Sequence, residues 1–186
     1  MKESTQHRSS VTLVPMGRIP IELLQWLREE LTKVLRRPVS ISKQVGLPPE
    51  AYQPLRRQYL GDAILVALRK LPLPAGAQVV ALVDGDCYTP GLNFIFGQAA
   101  KGGRVALVAL PRLRPSFYGE PEDAEPFRQR VLKEIVHELG HTWNLAHCSD
   151  LRCVMHFSNT LADTDAKGVE LCVHCQKRLG QSTDRR

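Results

Sequence analysis

Three histidines within eleven residues, His137, His141 and His147, with Glu138 beside the first, constrain this 186-residue chain more than any other feature. On a helix, residues four apart share a face, so His137 and His141 can present imidazoles to one ion at ~2.0–2.1 Å. The competing reading makes these histidines part of a packed face. At about 100° per residue, Phe127, Val131, Leu132, Ile135, Val136 and Leu139 gather on one half of the helix, and the two histidines fall on the other. Composition alone yields HExxH in roughly 1% of shuffled chains, and a third histidine lowers that about thirtyfold. A straight helix cannot also carry His147 to the same ion, so the chain must turn sharply after His141. Asn144 is the residue suited to that turn, because asparagine tolerates positive φ better than most non-glycine residues.

That ligand set points to hydrolytic chemistry. Three neutral imidazoles leave zinc its charge and an open fourth position, where the pKa of a water falls towards ~7. Glu138 cannot reach the metal together with both flanking histidines. It is placed instead to take the proton as the water attacks a peptide carbonyl, and to pass it to the leaving amine. The expected substrate is a peptide or protein.

A second cluster follows at once. Cys172 and Cys175 form a CxxC pair, and Cys148 with Cys153 supplies another, so four of the five cysteines lie in the last quarter of the chain. In a reducing compartment such crowding favours metal ligation over disulfides, and four thiolates suit a closed structural zinc site. Four unligated thiols are the alternative. Cys87, remote in sequence, reads as an apolar filler.

Composition narrows the setting. The apolar runs Ile64 to Leu68 and Val105 to Leu110 are far shorter than the ~20 residues a membrane-spanning helix needs. Met1 to Ser10 is polar and of mixed charge, without the apolar stretch of a signal peptide, which leaves the cytoplasm as the simplest address. The net charge of +6 comes from scattered basic residues with small clusters such as Arg36-Arg37, Arg56-Arg57 and Arg185-Arg186. That is weak evidence for nucleic acid, and a solvated surface accounts for it.

The patterning predicts an α/β (α+β) chain. Strands are expected at Val11 to Met16, Val39 to Val45, Val79 to Val83, Asn93 to Phe96 and Val105 to Leu110. Helices are expected after Pro20, ending before Pro38, and from about Gln58 to Leu71. A third helix is expected from near Pro126 to about Asn144, with Glu122, Asp123 and Glu125 at its positive end. Beyond it lies an irregular, cysteine-bearing tail with one short helix near Cys175.

The run HELGHTWNLAHCSDLRCVM, continued by CVHC at Cys172, resembles the archaemetzincins, a metzincin family of zinc peptidases. The resemblance implies a five-stranded mixed twisted sheet with a backing helix and an active-site helix. It also implies one domain over residues 1–186, divided into an upper subdomain (1–144) and a short C-terminal subdomain (145–186). By the same resemblance His137, His141 and His147 hold a catalytic zinc and Glu138 is the base. Met155 forms a Met-turn beneath the metal, while Cys148, Cys153, Cys172 and Cys175 hold a structural zinc, for two zinc ions in a monomer. The strand near Asn93 to Phe96, with Phe94 and Phe96 alternating against Ile95, becomes the edge along which an extended peptide binds. Trp143 is read as core.

This chain departs from the family pattern in three ways. Asn144 stands where the extended motif has glycine, sixteen residues separate Met155 from Cys172 where seventeen are typical, and no tyrosine follows Met155. Two alternatives stand beside the peptidase: a zinc-stabilised binding protein, for instance for nucleic acid, and a metzincin with only its structural zinc filled.

Overall fold

The computed structural model describes residues 10–183; the polar segment before Ser10 and the Arg185-Arg186 pair lie outside them. Strand β1 (Val11–Met16) is followed by helix α1 (Ile21–Leu35) and strand β2 (Val39–Ile41). Short strands β3 (Tyr52–Gln53) and β4 (Gln58–Leu60) lead into helix α2 (Gly61–Arg69). Then come β5 (Gln78–Val83), β6 (Cys87–Tyr88), β7 (Gly97–Ala99) and β8 (Val105–Ala109). Helix α3 (Ala124–Thr142) carries the histidine motif, and α4 (Leu161–Ala166) and α5 (Val173–Thr183) complete the chain.

The main sheet has five strands in the order β2-β1-β5-β8-β7, all parallel except β7, which runs antiparallel to β8 at its edge. Strands β5 and β8 are buried along their whole apolar lengths, as central strands covered on both faces must be. Alternation divides their side chains between two layers. Val80, Leu82, Ala106 and Val108 pack with Leu24, Leu27 and Leu31 of α1 and with Val131, Ile135 and Leu139 of α3. Val79, Ala81, Val83, Val105 and Leu107 pack on the opposite face with Ile64, Leu65 and Leu68 of α2. The backing helix and the histidine helix therefore share one face of the sheet. The first layer runs on into the C-terminal segment through Leu145, Val154, Met155 and Cys175.

Three predicted elements shift, each for an identifiable reason in its hydrogen bonds. The second strand stops at Ile41 and touches β1 again only at Val45, opposite Met16. Pro15 has no N–H to give on that side, so the ladder is interrupted between the Ser42 N–H bond to the Leu13 carbonyl and the Val45 N–H bond to the Pro15 carbonyl. The first turn of the expected Gln58 helix is instead strand β4, because the buried Gln58 amide donates to Asp86 Oδ2 (3.0 Å) and to the Asn93 carbonyl (2.9 Å). Strands β3, β4 and β6 form a small second sheet that the patterning did not suggest.

The edge strand lies at Gly97–Ala99 and not at Asn93 to Phe96. Arg56 and Gln58 hold the Asn93 carbonyl, and Ile95 donates its N–H to the Cys87 carbonyl, so that stretch reaches β8 only at the Phe96 carbonyl, which accepts from the Ala109 N–H. Its side chains still alternate: Phe96 enters the α1–α3 layer with Phe94 against it, and Ile95 enters the α2 layer. Helix α3 begins two residues before Pro126, where Asp123 Oδ1 accepts from the Glu125 N–H at 3.1 Å as an N-cap. Helix α4, not expected, is set by a capping box between Thr160 and Asp163.

The shared layer makes α1 a sensitive place to test the packing. Leu27 is fully buried. Leu27→Ala is expected to cost about 2–5 kcal/mol in urea denaturation with an unchanged m-value.

Candidate metal centre and cleft

Helix α3 is buried almost all round. Its apolar half packs on the sheet as expected, but on the other half His137, under the chain that returns at Val154 to Lys167, and Glu138, against Gly97 of β7, are also 4% exposed. That return gives the helix its second partner. Arg130 forms a two-pronged pair with Asp165 (2.7 Å to each oxygen), and Lys133 Nζ donates to the Thr164 and Asp165 carbonyls.

The turn after the helix is built by hydrogen bonds. Asn144 has φ of 68°, the left-handed conformation that the motif's spacing demands, and its N–H bonds to the His141 carbonyl while the Leu145 N–H bonds to that of Gly140. The reversal brings His147 back over the helix. Its ring stacks against that of His137 (centroids 5.4 Å), stands edge-on to that of His141 (4.9 Å), and meets Phe157 on its outer side (4.9 Å).

Each helical imidazole is pinned at one nitrogen. His137 Nδ1 lies 2.8 Å from the Val154 carbonyl and His141 Nδ1 lies 2.9 Å from the Leu145 carbonyl. Carbonyl oxygens only accept, so both Nδ1 atoms carry hydrogen and both Nε2 atoms turn a bare lone pair towards the cleft. Burial holds all three imidazoles below their ordinary pKa, His137 well below, and the ammonium of Lys167 adds to the effect. The Nε2 atoms of His137 and His141 are nevertheless only 3.1 Å apart. Two lone pairs at that distance repel unless a cation lies between them, and tetrahedral zinc at ~2.0–2.1 Å sets its nitrogens about 3.3 Å apart. One ligand atom from each histidine lies within 4.8 Å of the others. The donor set thus fits a divalent metal with nitrogen preference.

Glu138 sits beside this triad and faces strand β7. Burial, reinforced by Glu134 and opposed by Lys167, pushes its carboxyl well above the usual range, and its Oε2 is buried without a hydrogen-bond partner. Room for it is made by Gly97: a Cβ there would meet Glu138 Oε1 at 2.5 Å and Cγ at 2.7 Å. Gly140 has the same purpose on the other flank, where a Cβ would collide with the Met155 sulfur. Met155 is fully buried directly under the motif, and its carbonyl accepts from the Cys148 N–H at 2.9 Å.

The four cysteines converge next to His147. Their sulfurs lie within 4.8 Å of one another, and Cys148 Sγ is 3.8 Å from Cys172 Sγ, matching the ~3.8 Å that tetrahedral zinc imposes on sulfurs at ~2.3 Å. The Cys172 N–H points at Cys153 Sγ (3.3 Å), and the Cys172 thiol is lowered by the N–H of Cys175. All five cysteines are free thiols, and Cys87 is sealed in the α2 layer, where burial raises its pKa far out of reach.

A cleft of about 350 Å³ opens onto the histidines, lined by Phe94 to Ala99 on one side and by Phe157 to Asn159 on the other. Glu134 and Lys101 also line it. Trp143 does not line it; the ring packs against the α1–α3 layer under Arg37 (4.6 Å). Reasoning from the sequence missed Gly97, Gly140, Glu134 and Lys167. Gly140, an unbroken helix's glycine, and Glu134, one turn before His137 on the same face, carried a readable signal. Lys167 carried none.

Comparison with known proteins agrees with this geometry. Residues 36–181 match Peptidase family M54. The chain is 41% identical over 179 residues to an archaemetzincin of Thermococcus kodakarensis, covering 91% of this chain and 94% of that one. It is 40% identical to an archaemetzincin of Pyrococcus furiosus, over 96% of both chains. Among solved structures, the archaemetzincin of Methanopyrus kandleri superposes with a TM-score of 0.85 at 37% identity, over 99% of this chain and 100% of that one. A zinc-dependent peptidase from Methanocorpusculum labreanum gives 0.84 at 31% identity, over 91% and 99%.

The close approach at Gly140 is open to direct test. Alanine favours a helix over glycine by about 1 kcal/mol, but forcing a methyl against a buried methionine costs about 1–3 kcal/mol. Gly140→Ala is therefore expected to lower the thermal midpoint, and the drop it causes is expected to be smaller when it is introduced into Met155→Ala than into the wild type, as a calorimetric double-mutant cycle reads.

Proposed function

From the premise that this chain belongs to peptidase family M54, the archaemetzincins, and is a zinc metallopeptidase, we propose that His137, His141 and His147 hold its catalytic zinc and that Glu138 is the general base. The observation that carries this reading is the pair of bare Nε2 atoms, 3.1 Å apart, beside an unpartnered carboxylate oxygen. When bound, zinc supplies Lewis acidity: it lowers the pKa of a water towards ~7 and draws electron density from a carbonyl.

The chain's own groups do the rest. Glu138 Oε2 takes the proton of the attacking water and delivers it to the leaving nitrogen; its raised affinity for a proton and its buried position suit both transfers. Val154 and Leu145 keep the imidazoles turned so that only Nε2 is offered. Strand β7 lends its outer edge to an extended substrate running antiparallel to it, which gives affinity through main-chain hydrogen bonds.

Cys148, Cys153, Cys172 and Cys175 hold a second, structural zinc that ties the turn bearing His147 to helix α5, for two ions per chain. The apolar layer that crosses from the sheet to Met155 and Cys175 supports one domain, with 145–186 as its lower part. Four cysteines gathered for metal ligation favour a reducing compartment such as the cytoplasm. Among the described residues no helix is long and apolar enough to cross a membrane. We read the chain as a monomer.

Elemental analysis together with peptide hydrolysis tests the assignment. Glu138→Gln is expected to keep two zinc ions per chain and to lose about 10²–10⁴-fold in turnover. Cys175→Ser is expected to lose one ion and to unfold the segment after His147, with amide exchange reporting it. One zinc in the wild type, with salt-sensitive binding to DNA or RNA that Glu138→Gln leaves intact, would give the chain to the non-catalytic binding reading.

A further inference from the structure

The cleft does not end at the metal ligands. One helical turn before His137, Glu134 lies on the same face of α3 and lines the same cleft. It is 3% exposed and forms an ion pair with Lys167, whose Nζ lies 2.8 Å from Oε1 and which is itself fully buried. Thr164 Oγ1 approaches the same oxygen at 3.5 Å, and Lys167 also reaches the His156 carbonyl at 3.4 Å. Both protein donors thus converge on Oε1, and a carboxylate keeps acceptor capacity on its other oxygen. Removing two charges from water is costly, and an apolar pair of similar volume would serve stability as well. An ion pair retained at the floor of a cleft calls for a use.

We propose that Glu134 determines specificity by accepting hydrogen bonds from an arginine or lysine side chain at the substrate position just after the scissile bond. The direction follows from the proposed binding mode, on which this inference rests. Strand β7 starts at Gly97 beside Glu138, and the chain then continues to Gly102, whose N–H bonds to the His141 carbonyl. A peptide running antiparallel to it therefore places its C-terminal half towards Phe96, Phe94 and Glu134. Its N-terminal half lies towards His141 and Lys101.

The walls suit a long cation. Phe157 flanks the approach with aromatic surface that favours a guanidinium or ammonium and lets the alkyl part of the side chain lie against it. The carboxylate lies one turn deep, about 5 Å along the helix from the ligands, a depth that the long side chain of lysine or arginine spans and a short one does not. On the N-terminal side of the substrate, Lys101 disfavours a second cation, so the selection applies to one side of the scissile bond.

Binding reads this without turnover. Peptide hydroxamates that chelate the metal, carrying arginine, norleucine or glutamate at the position after the chelating group, are titrated into the zinc-loaded protein by calorimetry. The arginine compound is expected to bind about tenfold more tightly than norleucine, with glutamate weakest. Glu134→Gln should bring the arginine-to-norleucine ratio to about one. If that variant does not fold, Glu134→Gln with Lys167→Met removes both charges and should give the same ratio. Equal affinities in the wild type, or a preference that survives in these variants, overturns the inference and leaves the metal centre standing. Failure of all three compounds to bind the zinc-loaded protein overturns it together with the proposed catalytic site.

Discussion

Two main-chain carbonyls carry the architecture of the cleft. Val154 and Leu145 each accept from an imidazole Nδ1, and in doing so choose the tautomer, fix the ring planes and leave Nε2 bare at the point where three rings converge. Both carbonyls belong to the chain after α3, so the helix alone presents an unfinished site. The sheet positions α3, the left-handed turn at Asn144 returns the chain, and the segment through Met155 then closes down on the helix and corrects its histidines. Backbone acceptors suit this purpose because they cannot donate and do not titrate.

The helix that results is unusual in burying both its apolar and its polar half. Packing against the sheet accounts for the first. The second depends on paired charges and tight approach: Arg130 with Asp165, Lys167 with Glu134, and two glycines where Glu138 and Met155 come closer than a methyl group would allow. Such a face is less forgiving than an oily one, since a lost partner leaves a charge stranded.

Much of this was legible in the sequence, and the reason is locality. HExxH reads as one helical face because its spacing is that of the helix, and the need for positive φ at Asn144 follows from the distance to His147, a requirement the structure meets at 68°. The central strands β1, β5 and β8 were evident from continuous apolar runs, and the CxxC pair from its spacing. What escaped depends on partners remote in sequence. The edge strand moved four residues because Arg56 and Gln58 claim the Asn93 carbonyl, and β4 replaced a helical turn because Gln58 finds Asp86. The division of α3 into an apolar half and a histidine half holds, but the cover over the second half was not legible, because periodicity reports which residues prefer the sheet, not what later covers the others. Lys167 is the extreme case: a lone lysine in a tail has no pattern, and only its contact with Glu134 gives it meaning.

The outer margin of the sheet has one more consequence. A row of unsatisfied amides and carbonyls that welcomes any extended backbone does not distinguish a guest from a sister molecule, and long, flat margins of that kind nucleate fibrils. Here the margin is three residues, Gly97–Ala99, preceded by a stretch that Ile95 ties to Cys87 and followed by Lys101 on the other side. That brevity limits self-templating to a few bonds, too weak for filament growth, while a visitor anchored elsewhere in the cleft still profits from them.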